Sequence, residues 1–384
     1  MQRSLVNKWI FFNPTQIIFD FNCLEFISSI NYQKIALITT PGFKRRGVVN
    51  RIEKILNDRL LYIYDKVTPN PTIEEIDEAA LAIKPNSPDC ILALGGGSSI
   101  DTAKSIARLI SCKNDVTLSN HFRKQTPFRE EDSLPIFTIP TTAGTGSEVT
   151  PFATVWDAQN EKKYSLSGKD LFPKIAFLDP LLTLDQPELL TISAGLDAVS
   201  HALESIWNKN ANPITISLST QSLHFSLENL PVVKKEPKNL RARTRMLEAS
   251  LMAGMAISQT RTALAHSISY PITARYAVPH GIACGFTLPA LLRFNAKADD
   301  GRLLNLSNAL GYSSIDGLIE ALSKLCNELD VPSYLFKNVP HIDQMLEILN
   351  EMFTPGRADN NLRSATVDDV KKIILNFYKR EGSG

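Results

Sequence analysis

CILALGGGSSIDTAK (90–104) sets the reading of the whole chain. A short apolar run, bounded by turn residues, reads as a buried strand. Three consecutive glycines then turn the backbone, and TAKSIARLI continues with helical character. Glycine at such a junction lets the backbone come close to a ligand, and the helix N-terminus offers free N–H groups at the positive end of its dipole. Ser98 and Ser99 add hydroxyl donors. The unit suits a pyrophosphate, although the spacing is not G-x-G-x-x-G. Gly96, Gly97, Ser98 and Asp101 are therefore candidate cofactor contacts.

The same alternation extends in both directions. KIALITT (34–40) reads as a buried strand, RRGVVNRIEKILND as a helix, and LLYIYD (60–65) as a second strand. Thr72 with Glu75 three residues later forms a capping-box pattern for a helix that runs towards Ile83. After the strand LPIFTIP comes PTTAGTGSE (140–148), whose Thr141, Thr142 and Thr145 are placed to line the crevice at the strand carboxyl ends. Strand and helix in alternation imply a doubly wound parallel sheet. Past residue 187 long helical patterns dominate, such as SAGLDAVSHALESIW and ARTRMLEASLMAGMAIS. The expected division is an α/β dinucleotide-binding domain at 1–187 and an all-α metal- and substrate-binding domain at 188–384.

The 384 residues suffice for two domains, and 43% apolar with 21% charged residues is an ordinary globular composition. A net charge of +1 points to neither nucleic acid nor an anionic membrane as partner. WIFF and CILAL are far too short to span a bilayer, and MQRSLVNKWIFFNP does not read as a signal peptide. The five cysteines are scattered, with no C-x-x-C pair, which fits a reducing cytoplasm. Cys90 and Cys284 read as small core residues.

Asp197 and His201 lie four apart in SAGLDAVSHALES; on a helix begun by Ser193 they share one face. His266 lies in TALAHSISYP and His280 in VPHGIACG. One carboxylate and three imidazoles suit a divalent first-row metal, with room for a substrate oxygen. Spacing alone does not join the helical pair to the two distant histidines. His121, His224 and His341 read as structural or surface residues.

GGGSSIDTAK, PTTAGTGSEVT, LDP followed by TL, GLDAVSHALES and the pair AHSISYP / VPHGIACGFTLP together resemble the iron-containing alcohol dehydrogenase family. The resemblance implies a metal in the cleft between two domains, held by Asp197, His201, His266 and His280, commonly Fe²⁺ and in some members Zn²⁺. It implies that Gly96, Gly97, Ser98, Thr141, Thr142, Lys163 and Leu181 contact NAD(P)H, and that the chain forms a homodimer. The implied reaction interconverts an aldehyde and a primary alcohol, the metal polarising the carbonyl while hydride passes from the nicotinamide.

Two departures bear on the substrate. Many members carry a histidine four residues after the third ligand, where this chain has Tyr270; its hydroxyl can relay a proton in that place. Arg261, in SQTRTALAH, stands where many members have small or apolar residues, and its fork of donors suits an anionic substrate. RTALAHSISYPIT and PFATVWDAQNEKKYSL look most similar to the phosphonoacetaldehyde reductase branch, whose product is 2-hydroxyethylphosphonate. The alternatives are a general short-chain alcohol dehydrogenase or lactaldehyde reductase, a dehydroquinate synthase-like lyase, and a relic that only binds dinucleotide. At the end of the first strand Thr39 and Thr40, with Lys44, Arg45 and Arg46 nearby, permit NADPH and lean the choice towards it; Thr40 is a further candidate cofactor contact.

Overall fold

Among the described residues eight strands form: β1 (Gln16–Phe19), β2 (Ile35–Ile38), β3 (Leu60–Tyr64), β4 (Cys90–Gly95), β5 (Ile136–Pro140), β6 (Phe152–Asp157), β7 (Lys162–Ser167) and β8 (Ile175–Leu178). The computed structural model describes residues 8–112, 116–128 and 132–381; the first seven residues of the segment read for a leader lie outside them. Six strands make one sheet in the order β1-β8-β5-β4-β2-β3, and every neighbouring pair is parallel. The expected doubly wound sheet is what forms. Alternate side chains explain it: Ala36, Ile38, Ile91 and Ala93 face the helices Ile73–Ile83 and Gly97–Ser111, while Ile35, Leu37, Leu92 and Leu94 face the helix Val48–Leu56. The capping box at Thr72 forms, with Thr72 Oγ1 accepting from Glu75 N and the Glu75 carboxylate accepting from Thr72 N.

The edge strand β1 and the antiparallel hairpin β6–β7 lay beyond the sequence reading. The hairpin has one buried face, carrying Ala153, Val155 and Leu166; its register sets Trp156 opposite Lys163 on the other face.

From Glu188 the chain is helical, through Glu188–Ile206, Pro213–Lys235, Leu240–Thr260, Leu264–Tyr276 and His280–Gly285 to Val367–Glu381. The first of these starts at Glu188, not at Ser193 as expected, because Pro187 sets the N-cap and leaves Ser193 inside. Its core includes Trp207, fully buried, together with Ala176 and Leu178 of β8, so helices pack directly on the sheet. No helix among the described residues is long and apolar enough to cross a membrane.

The α/β and helical regions also meet backbone to backbone. Gly146, at φ +60°, lies against Gly254 of the helix Leu240–Thr260; a Cβ on Gly254 would stand 2.7 Å from the Gly146 Cα. Neither main chain can retreat without dragging its element, so Gly254→Ala should cost about 1–3 kcal/mol, read as a lower urea midpoint at unchanged slope. An unchanged midpoint would show that the contact is slack.

Candidate active site

Parallel strands bring their carboxyl ends to one edge, and the chain reverses direction between β2 and β4, because β3 lies on one side of β2 and β4 on the other. Thr40 after β2, Gly96 and Gly97 after β4, Thr141 and Thr142 after β5 and Leu181 after β8 all stand at that edge. The two glycine-rich loops touch. A Cβ on Gly96 would lie 2.9 Å from Thr142 Cγ2, and one on Gly97 2.7 Å from Thr145 Cγ2. Ser98 Oγ accepts from Asn70 N at 3.4 Å, and Ser99 Oγ is buried with no partner.

Asp101, a candidate cofactor contact, also positions the loop: its Oδ1 accepts from Ser147 Oγ at 2.5 Å and its Oδ2 from Thr154 N at 2.9 Å. Lys104, one turn further on the same helix, was missed. It is fully buried, and its Nζ donates to the carbonyls of Ser147 (2.6 Å), Thr150 (2.6 Å) and Phe152 (2.8 Å). The i, i+3 pairing of Asp101 with Lys104 in the motif was the available signal. Burial brings Lys104 down to about 8 and pushes the neighbouring Glu148 up to about 7.

A folded-state value above the unfolded one means that the native protein binds the extra proton, so Glu148 stabilises below about pH 4.5 and this contribution is lost as pH rises through about 7. Glu148→Gln should therefore gain on the wild type, by on the order of 2–3 kcal/mol, between pH 4.5 and pH 8 in urea unfolding. A constant difference across that range would remove Glu148 from the titration.

Three of the expected metal ligands, Asp197, His266 and His280, bring their ligand atoms within 4.8 Å of one another, and His201 approaches them at Asp197. Asp197 Oδ1 lies 3.2 Å from His266 Nε2, 3.6 Å from His201 Nε2 and 3.9 Å from His280 Nε2. Ligands held about 2.1 Å from a tetrahedral ion stand about 3.4 Å apart, so the spacing fits a divalent metal. His201 stacks on His266, ring centroids 4.7 Å apart, and its Nδ1 is buried without a partner. Burial pushes the Asp197 carboxyl up, but His201, His266 and His280 outweigh it and hold the group well below its ordinary value. Burial pulls all three imidazoles down; it prevails at His201 and, helped by Lys163, at His280. At His266 the neighbours Cys284, Glu204 and Asp197 overcome it and raise the ring well above its ordinary value.

Two residues of this centre escaped the sequence reading. Glu204 accepts from His266 Nδ1 (2.7 Å), Ala263 N (2.8 Å) and His266 N (3.1 Å). Its position three after His201, on the ligand face of the helix, was the signal. Cys284 is buried, as expected of a core residue, and its sulfur also lies within the group: ligand atoms of Asp197, His266, His280 and Cys284 are all within 4.8 Å of one another. Ser193, within the helix, accepts from Gly281 N at 3.1 Å and so anchors the turn that carries His280. A carboxylate behind a ligating imidazole fixes its tautomer and basicity, so Glu204→Gln should weaken zinc binding about 10–100-fold in chelator competition. Unaltered affinity would reduce Glu204 to a helix-end anchor.

Tyr270 lies beside this cluster, one turn after His266. Its ring stacks near His280 at 6.1 Å, the Lys163 ammonium sits 4.1 Å over its face, and its hydroxyl is 3.4 Å from Thr262 Oγ1. Burial raises Tyr270, but Lys163, His266 and Arg357 bring it below its ordinary value. Arg261 is not on a helix continuous with His266. It caps the helix ending at Thr260, at φ +63°, and its guanidinium lies 5.8 Å over Phe152, on the hairpin face that also carries Trp156 and Lys163. Arg357 was not anticipated; its guanidinium donates to the Gly356 carbonyl at 3.3 Å.

A parallel sheet with a glycine-lined crevice, joined to a helical region bearing an Asp/His centre, defines a metal-dependent, nicotinamide-linked oxidoreductase. Residues 14–180 match the iron-containing alcohol dehydrogenase family, and residues 191–378 match the C-terminal region of the Fe-containing alcohol dehydrogenase family. The chain belongs to that family. It is 30% identical over 367 residues to the NAD-dependent methanol dehydrogenase of Bacillus methanolicus, covering 91% of this chain and 93% of the relative. It is 29% identical over 366 residues to the 1,3-propanediol dehydrogenase of Klebsiella pneumoniae, covering 90% and 92%. Among solved structures, sulfoacetaldehyde reductase from Bifidobacterium kashiwanohense in complex with NAD⁺ superposes with a TM-score of 0.91 at 28% identity, covering 99% of this chain and 100% of that one.

Proposed function

We propose that the protein reduces a short aldehyde with an anionic head group, phosphonoacetaldehyde foremost, to the primary alcohol at the expense of NADH. The observation that carries this reading is the trio of cations Lys163, Arg261 and Arg357. Lys163 and Arg357 both act on Tyr270, and Arg261 shares the hairpin face with Lys163. None of the three pairs with a carboxylate among the described residues, whereas Arg108, Arg123, Arg275 and Arg302 all do. Unpaired cations around a cleft favour a ligand that brings its own negative charge. The fold neighbour named for sulfoacetaldehyde lends support, since its substrate is a two-carbon aldehyde with an anionic head.

Asp197, His201, His266 and His280 would hold the metal, which when bound supplies Lewis acidity to the carbonyl oxygen. The crevice at Gly96, Gly97, Thr142 and Thr145 would hold the dinucleotide, which when bound supplies the hydride. Lys163 and Arg261 orient the anionic head. Tyr270 Oη, made more acidic by Lys163, donates the proton to the product oxygen and recovers one through Thr262 Oγ1.

Two of the three cations that permitted NADPH are engaged: Lys44 lies 3.6 Å from Asp65 and the Arg46 guanidinium 4.3 Å over Phe43. Asp65 would repel a 2′-phosphate, which favours NADH. All five cysteines are free, in keeping with a reducing cytoplasm, where we place a homodimer.

Rates on phosphonoacetaldehyde, sulfoacetaldehyde, propanal and lactaldehyde test the reading. The anionic aldehydes should lead in kcat/KM, and Arg261→Ala should lower kcat/KM about 10–100-fold for them, mainly through KM, while changing propanal little. Equal turnover of propanal and phosphonoacetaldehyde would sink the anionic substrate and leave a general short-chain alcohol dehydrogenase.

A further inference from the structure

The cysteine at the metal centre has no role in the chemistry above. Cys284 is fully buried, four residues after His280 in the helix His280–Gly285, so the two side chains share a face. Its Sγ lies 3.9 Å from His280 Nε2, the same nitrogen that stands 3.9 Å from Asp197 Oδ1. It belongs with Asp197, His266 and His280 to the one group of potential metal ligands among the described residues, all within 4.8 Å of one another. Sulfur and nitrogen bound to one zinc, at about 2.3 and 2.05 Å, stand about 3.1–3.8 Å apart at the angles of about 90–120° that five donors make, so a shift of a few tenths of an ångström brings the pair into range.

The other four cysteines are also buried and free. Cys23 and Cys90 lie in the sheet core, and Cys326, the nearest in contact, bonds to the Gly285 carbonyl at 3.6 Å. A thiol chosen only to fill space needs apolar neighbours. Cys284 instead meets ring nitrogens and a carboxylate.

We propose that the Cys284 thiolate is a ligand of the metal ion, adding a soft donor to the Asp197, His201, His266 and His280 set. This rests on the metal-centre reading above. On binding, the thiol gives up its proton to solvent and a metal–sulfur bond forms, with no change of oxidation state. A thiolate leans the site towards softer ions such as zinc and cobalt.

Cobalt(II) reports the ligand directly, since a cobalt–thiolate bond produces an intense near-ultraviolet charge-transfer band that carboxylate and imidazole ligands do not. Metal-free full-length protein titrated with Co²⁺ should develop visible d–d bands and this near-ultraviolet band together. Cys284→Ala should lose the charge-transfer band, and Cys326→Ala, the neighbouring thiol, should keep it. Should Cys284→Ala fail to hold cobalt, the wild-type band retained in Cys326→Ala still assigns the sulfur. Visible bands without the charge-transfer band in the wild type would overturn the thiolate and leave the metal centre standing. A charge-transfer band persisting in Cys284→Ala would overturn it too. No cobalt bound to the wild type at all would remove both the ligand and the centre on which it rests.

Discussion

A single buried carboxylate oxygen organises the helical region. Three imidazoles from three helices point their Nε2 atoms at Asp197 Oδ1. Burying such a set without compensation is costly, because an ionised carboxylate loses its hydration and an imidazole gains nothing from an apolar wall. The protein answers with a second carboxylate, Glu204, and two backbone N–H groups that tie the start of the helix Leu264–Tyr276 to the helix Glu188–Ile206. Those bonds explain why the chain breaks at Arg261 and restarts at Leu264: the two free N–H groups at the new helix start need an acceptor, and Glu204 is it.

The nucleotide loops and the metal centre are linked by the buried Lys104. Its three carbonyl partners lie in the segment that connects the TTAGTGS loop to β6, so the ammonium fixes where the hairpin begins. Asp101 fixes the next point along, through Ser147 and Thr154. The hairpin so anchored delivers Lys163 onto the ring of Tyr270. A helix that presents its N-terminus to the crevice thus also sets, through its first two turns, the position of a cation some way off at the substrate cleft.

The strands of the sheet and the crevice were legible because periodicity and glycine placement are local signals. CILAL, the capping box at Thr72 and the four-residue step from Asp197 to His201 each carry their own geometry. What stayed hidden was non-local. β1 is an edge strand of four residues, and β6–β7 alternates only weakly, so neither stands out from loop. His266 and His280 joined the pair through family motifs alone, since no spacing rule reaches across that distance. Cys284 was read as packing because the apolar letters around it describe its neighbours in sequence, not those in space. Nothing announces the turn before His266 either, because the residue at positive φ there is Arg261 and not a glycine.

His266 is the residue at which these demands meet. With Cys284 beside it, its Nδ1 faces Glu204 at 2.7 Å and its Nε2 faces Asp197 at 3.2 Å, which is why its basicity is raised while His201 and His280 are depressed. With a proton on each nitrogen, the ring carries one positive charge and donates a hydrogen bond to each carboxylate. With Nδ1–H still given to Glu204, Nε2 is free to ligate, and the positive charge that the proton supplied must come from an ion in the same place. The geometry therefore makes proton and metal alternatives at one nitrogen, and it does so with a carboxylate behind the ring that holds the tautomer for either.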